Sequence, residues 1–242
     1  MATLALTRSL QGLVSLFYPP TCAGCGAATE SGDHLCSRCE DEAPRLSAPF
    51  CDRCSQPFAG AIADHFTCAN CHDRDLHFEA AISVYRSRGV VRKVMHDFKY
   101  GGQVHLRHVL GRWLAETLQD SRLQGRQFDY IAPVPLHPAR ERERTFNQAH
   151  LLARLLGRAS GWPVRPLLQR IRYTTTQTRF DRQERMENLA GAFRLRPGAD
   201  VQDCRVLLID DVLTTGSTLS ECALVLRQAG ALSVHAATAA RG

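Results

Sequence analysis

Eight cysteines lie between positions 22 and 71, all in Cys-x-x-Cys pairs: Cys22/Cys25, Cys36/Cys39, Cys51/Cys54 and Cys68/Cys71. Such a knuckle points two sulfurs at one ion, and two knuckles complete the tetrahedral four-thiolate site that zinc favours. Ten residues separate the first two pairs and thirteen the second two, room for a small hairpin in each case. Sequential pairing gives two ribbons in tandem; an interleaved pairing uses the same ligands. Either way thiolate fills every position, so the two zinc ions expected here are structural. His34, His65 and His72 lie nearby and are expected at the surface, because the ligand set is complete without them.

The second constellation runs from Val206 to Leu219. An apolar strand, Val206 to Ile209, meets two carboxylates, Asp210 and Asp211, and the chain then turns through Thr214, Thr215, Gly216, Ser217 and Thr218 into a helix. In open α/β sheets ligands bind beyond the carboxyl ends of the strands. The N–H groups of Thr214 to Thr218 are expected to converge on an anion at the helix start, with the hydroxyls as further donors. Gly216 lets the backbone approach a phosphate closely. No Gly-Lys-Ser/Thr follows, so this is not a Walker loop. Acids ahead of the cradle suit a ligand with a phosphate at one end and a diol a few ångströms away. The adjacent carboxylates should repel each other in the empty site, so Asn at either position is expected to leave stability unchanged or raise it.

These two constellations must be held by different kinds of structure. Residues 22–75 are rich in Cys, Asp and Gly, with little apolar periodicity and no core of their own. From Phe78 strands alternate with amphipathic helices: a strand to Tyr85, helices over Val90–Tyr100 and His105–Leu118, a strand over Asp129–Pro135 and a helix over Phe146–Leu156. After Pro166 comes a polar segment of about twenty residues, long enough to be a functional lid. The strand at Val206, a helix over Thr218–Gln228 and a strand over Leu232–Thr238 complete the pattern. The fold class is therefore α/β, a parallel sheet covered by helices on both faces. The chain divides into an N-terminal helix (1–21), a double ribbon (22–75) and the sheet domain (78–242). The first segment is interrupted by Arg8, Gln11 and Gly12 and has no cleavage pattern, and no apolar run reaches spanning length. With no sign of export the expected compartment is the reducing cytoplasm, where thiols remain free for metal.

Charge separates the two halves. Only Lys93 and Lys99 among the 30 basic residues are lysine. Residues 131–196 hold 13 arginines against five acids, a balance of +8, whereas residues 22–75 carry −5 before any thiolate is counted. The anion-attracting face belongs to the C-terminal half, and the ribbon is poorly suited to grip a phosphate backbone.

The Asp210–Thr218 run resembles the phosphoribosyl-diphosphate loop of type I phosphoribosyltransferases. Pro133-Val134-Pro135-Leu136-His137-Pro138 with Arg140, Arg144 and Phe146-Asn147-Gln148-Ala149 resembles the ComF (competence protein F) family. Arg170-x-Arg172-x-Thr174-x-x-Gln177 with Arg185-x-x-Asn188, and the Pro-Pro-x-Cys-x-x-Cys entry to a double ribbon, are similar to the same family. One departure is Thr145, where that family usually has glycine. The resemblance implies a type I phosphoribosyltransferase-like domain that binds phosphoribosyl diphosphate with Mg²⁺. It makes Asp210 and Asp211 catalytic residues contacting the ribose hydroxyls, and Thr214–Thr218 the 5-phosphate cradle. Arg140, Arg144, Asn147 and Gln148 then belong to a diphosphate loop, and Arg172, Gln177 and Arg185 to a lid.

Two functions remain open at this level. One is transfer of the phosphoribosyl group to a nitrogen nucleophile. The other is a nucleic-acid-handling role in DNA uptake, in which the pocket binds a strand end and single-stranded DNA or uptake proteins are the partners. Aromatic residues are sparse at 7%, which argues against sequence-tolerant base stacking. Lys99 reads equally as a site residue or a surface lysine, and His137 as a phosphate ligand or a turn residue. Cys204 and Cys222 read as small buried residues.

Overall fold

The computed structural model describes residues 20–30, 33–60, 66–173 and 189–242. The helix expected over residues 1–21 lies, apart from its last two positions, outside the described residues. In chain order come α1 (Ser37–Asp41), α2 (Ala69–His72), β1 (Ala81–Ser83), α3 (Gly89–Tyr100), α4 (Arg107–Ala115), β2 (Tyr130–Pro133), α5 (Pro138–Arg144) and α6 (Gln148–Ser160). They are followed by β3 (Leu168–Arg170), β4 (Phe193–Leu195), β5 (Arg205–Leu213), α7 (Ser217–Gln228) and β6 (Ser233–Arg241).

The main sheet is parallel throughout, in the order β1-β6-β5-β2. Ile209 of β5 sits between Pro133 of β2 and Ala237 of β6. Val206, Leu207, Leu208 and Ile209 have no exposed surface because both faces of the strand are covered. Leu207 and Ile209 pack with Val94 and Phe98 of α3, Trp113 of α4 and Leu152 of α6. Val206 and Leu208 pack on the other side with Leu219 and Leu226 of α7 and Phe193 of β4.

Three local differences from the sequence expectations have physical causes. The helix over His105–Leu118 is α-helical only in α4, with 3₁₀ turns at Val104–Leu106 and Glu116–Gln119. Thr117 Oγ1 donates to Leu114 O at 2.6 Å, a back-bond that tightens the final turn. β5 does not stop at Ile209, because β6 continues beside it and pairs Thr238 with Asp210 and Ala240 with Val212. The flanks of the polar segment after Pro166 form an antiparallel ribbon, with Leu168 opposite Leu195 and Arg170 opposite Phe193.

Among the described residues the cysteine segment has no separate core, as its composition suggests. Cys22, Leu35, Cys39 and Ala43 join the cluster beneath α3 and α4. Cys51, Cys54, Cys68 and Cys71 join the α7 side with Phe78. Glu40 of α1 accepts from Trp113 Nε1 at 2.8 Å and from Arg112 at 3.0 Å, docking the first ribbon on α4.

Candidate ligand site and thiolate clusters

The eight cysteines gather as Cys22/Cys25/Cys36/Cys39 and Cys51/Cys54/Cys68/Cys71, which is the sequential pairing. Within each set the sulfurs all lie within 4.8 Å of one another. Cys25 and Cys36 are 3.7 Å apart, and Cys54 and Cys68 3.6 Å. A zinc tetrahedron with Zn–S near 2.3 Å has edges of about 3.8 Å, so the donor sets fit that ion. Backbone N–H groups of Gly24 and Cys36 point at Cys22 Sγ, each at 3.3 Å, and Cys68 N points at Cys51 Sγ at 3.3 Å. Such donors favour the thiolate. His34 stands instead against His105, ring centroids 4.6 Å apart.

The second site is built at the carboxyl end of β5. Because Asp210 and Asp211 lie within the strand, their side chains leave on opposite faces. Asp211 turns towards α3 and meets Lys99 Nζ at 2.8 Å, with side chains only 9% and 17% exposed. Asp210 turns to the α7 side, where Arg170 and Cys222 share its electrostatic environment. Burial, and then the charge of Asp211, raise the Asp210 carboxyl from 3.8 to about 7, against the opposing pull of Lys99 and Arg170. Burial also lowers Arg170, and Arg140 adds like charge. Cys222 is wholly buried, and burial pushes its thiol well up, which disfavours the thiolate.

After Leu213 the chain turns through Thr214–Gly216 into α7. Gly216 has φ 79°, where a side chain would be strained. Thr215 and Ser217 hydroxyls share a hydrogen bond at 2.9 Å at the start of the helix. This turn, a pair of threonines, a left-handed glycine and a serine at the amino end of a three-turn helix, has the donors an anion cradle needs.

Val134 to Gln148 contains a helix where a loop was expected. His137 Nδ1 caps α5 by accepting from Ala139 N at 3.2 Å, so His137 acts as a turn residue here. Thr145 ends α5 at φ 65°, a left-handed conformation that glycine adopts without strain and a β-branched residue does not. Asn147 accepts from His150 N and donates to Val134 O at 3.1 Å, so it caps α6 and ties the loop back to β2. Gln148 is 2% exposed; its oxygen accepts from Arg144 at 3.3 Å, while its amide nitrogen has no acceptor among the described residues.

Arg140 and Arg144 border a cleft of about 430 Å³ that also takes in Lys99, Tyr100 and Tyr173. Arg144 stacks over Tyr100 at 5.0 Å, and Arg140 over Tyr173 at 5.5 Å. Arg172 follows β3 and is exposed; Gln177 and Arg185 lie outside the described residues. The structure thus joins α3 to the acids, a link the sequence left undecided. The signal was Phe98-Lys99-Tyr100-Gly101-Gly102, a helix end stopping at the site.

A double zinc ribbon model matches residues 13–73, and a phosphoribosyl transferase domain model matches residues 149–242. Competence protein F of Haemophilus influenzae is 31% identical over 200 residues, covering 81% of this chain and 85% of the relative. DNA utilization protein YhgH of Escherichia coli K12 is 32% identical over 205 residues, covering 83% and 87%. Competence protein ComFC of Bacillus subtilis is 26% identical over 216 residues, covering 86% and 85%. With a double zinc ribbon ahead of a phosphoribosyltransferase-type parallel sheet, and this likeness over most of its length, the chain belongs to the competence protein F (ComF) family.

Proposed function

We propose that the chain binds phosphoribosyl diphosphate with Mg²⁺ and transfers the phosphoribosyl group to a nitrogen nucleophile. The observation that carries this reading is the end of β5. Two acids, one paired with Lys99, precede a hydroxyl-rich left-handed turn at a helix start, beside an arginine-bordered cleft. The cradle takes the 5-phosphate, the acids take the ribose hydroxyls, and Arg140 and Arg144 face the diphosphate. Cleavage at the anomeric carbon develops positive charge on the sugar and negative charge on the leaving group. Arg140 and Arg144 would meet that negative charge, with Mg²⁺ carried on the diphosphate supplying further neutralisation. Arg172, Gln177 and Arg185 belong to the lid over that end. The domain organisation is a ribbon over 22–75 and a transferase-like unit over 78–242, in a reducing cytoplasm. Isothermal titration should show saturable, Mg²⁺-dependent binding of phosphoribosyl diphosphate at micromolar levels; no heat at millimolar ligand would defeat the proposal.

A second reading is binding of nucleic acid without catalysis, in a competence or DNA-uptake role with single-stranded DNA or uptake proteins as partners. Two exposed tyrosines favour it: Tyr100 and Tyr173 are 65% and 51% exposed on the same cleft, where they can stack on bases. The relatives named for competence and DNA utilization point the same way. Steeply salt-dependent oligonucleotide binding, undisturbed by phosphoribosyl diphosphate, would favour this reading over transfer.

A further inference from the structure

The second cysteine ribbon reaches the turn after β5. Asn70 stands inside the Cys68–Cys71 knuckle, and its Nδ2 faces Thr215 O at 3.4 Å. Arg74, just beyond α2, donates to the same carbonyl at 2.7 Å and to Ser217 Oγ at 3.0 Å. Arg74 also donates to Asn70 Oδ1 at 3.1 Å, so the two side chains form one clamp. Close by, His77 N donates to Ser220 Oγ at 3.2 Å, fixing the first turn of α7. At the other end of the turn Arg241 donates to Leu213 O and to Cys54 O, both at 3.0 Å. The turn is therefore gripped at both ends through the second ribbon.

The consequence follows from peptide geometry. Thr215 C=O and Gly216 N–H belong to one planar trans peptide and point in opposite directions. Holding the carbonyl on the ribbon side aims the Gly216 N–H away from the ribbon. Gly216 is the residue least able to hold that aim by itself, since its backbone is the least restricted. Arg74 also occupies an acceptor position on Ser217 Oγ, which leaves the hydroxyl hydrogen for Thr215 Oγ1 or a ligand oxygen.

We propose that Arg74 and Asn70 are positioning residues of the phosphate cradle, and that the second ribbon is a working part of the ligand site rather than a separate appendage. The proposal rests on the phosphoribosyl reading, which supplies the 5-phosphate that the aimed N–H would meet. It differs from a general stabilising role in predicting which end of the ligand suffers. Arg74 holds the turn after β5, whereas Arg140 and Arg144 border the cleft at the other end.

The test is isothermal titration of ribose 5-phosphate and, separately, of Mg²⁺-pyrophosphate. It uses the zinc-loaded wild type, Arg74→Ala, Arg74→Lys and Asn70→Ala, with Arg38→Ala on the first ribbon as a control. Metal content and circular dichroism establish that each variant is folded. Arg74→Ala should weaken ribose 5-phosphate roughly tenfold or more, the scale of one charge-assisted hydrogen bond, and Asn70→Ala a few-fold. Pyrophosphate binding should stay within about twofold. Arg74→Lys, which can still reach one acceptor, should recover part of the loss. Unchanged ribose 5-phosphate affinity in Arg74→Ala, or equal loss of both ligands, overturns the proposal. A wild type that binds pyrophosphate but no ribose 5-phosphate overturns the phosphoribosyl reading itself and this proposal with it.

Discussion

Replacing Asp210 with Asn should stabilise the protein, by a margin that opens near pH 4 and is full above about pH 7. The side chain keeps its shape, and its oxygen can still accept from Asp211 N, a contact of 2.8 Å in the native chain. What disappears is a charge that burial and Asp211 disfavour, as the raised carboxyl, at about 7 rather than 3.8, records. Below pH 4 the group is protonated in the folded and unfolded states alike, so it contributes no difference. Between about 4 and 7 the unfolded chain releases the proton and the folded chain keeps it, so wild-type stability falls as pH rises. Above 7 the full cost of the ionised group is present. A displacement of about three pKa units at about 1.4 kcal/mol each sets a ceiling near 4 kcal/mol. Asp210 keeps some solvent contact, and Asp211 and Lys99 share the interaction, so about 2 kcal/mol is the expected gain at pH 8.

Asp211→Asn should behave oppositely. It leaves the Lys99 ammonium, 17% exposed, without its 2.8 Å partner, at a cost of about 2 kcal/mol. The sequence expectation that either Asn would be harmless treated the acids as a matched, repelling pair; the strand puts them on opposite faces and gives one of them a lysine. Urea unfolding at pH 5 and pH 8, followed by fluorescence of the buried Trp113, measures both variants. An Asp210→Asn protein less stable than wild type at pH 8, or more stable by the same margin at both pH values, would refute the reasoning. So would Asp211→Asn stabilising the fold.

Other outcomes can be stated from the same geometry. Thr145→Gly should raise stability by about 0.5–1 kcal/mol, since Thr145 is held at φ 65° where a β-branched residue is strained; the same denaturation measures it. Metal analysis of protein made with zinc available should give two ions per chain, one for each four-cysteine set, and a content of one would reassign a cluster. Arg172→Ala and Arg185→Ala should weaken phosphoribosyl diphosphate while leaving ribose 5-phosphate nearly intact, and equal loss in calorimetry would remove both from the diphosphate end.

The sequence carried the candidate site wherever it is written in consecutive residues. Asp210 to Thr218 is one strand, one turn and one helix start, and each cysteine knuckle is four residues long, so spacing alone located them. Sequential pairing of the knuckles was left open because both pairings use the same ligands; only the fold brings Cys25 next to Cys36 and Cys54 next to Cys68. What escaped was contact between distant elements. Lys99 lies 112 positions before Asp211 and Arg74 lies 141 before Thr215, and no periodicity encodes either meeting. The end of β5 escaped for a related reason: apolarity stops at Ile209, but a strand ends where its neighbour ceases to pair. β6 runs on to Arg241 beside it and pairs with Asp210 and Val212, so both acids stay within the strand. Their division between two faces, and so their opposite expected effects on stability, is a property of that pairing rather than of the dipeptide. The same holds for the ribbon, which composition presents as a small module without a core. It lacks one because its cysteines complete the clusters under α3 and α7, and a segment that borrows both cores is placed to hold the turn between them.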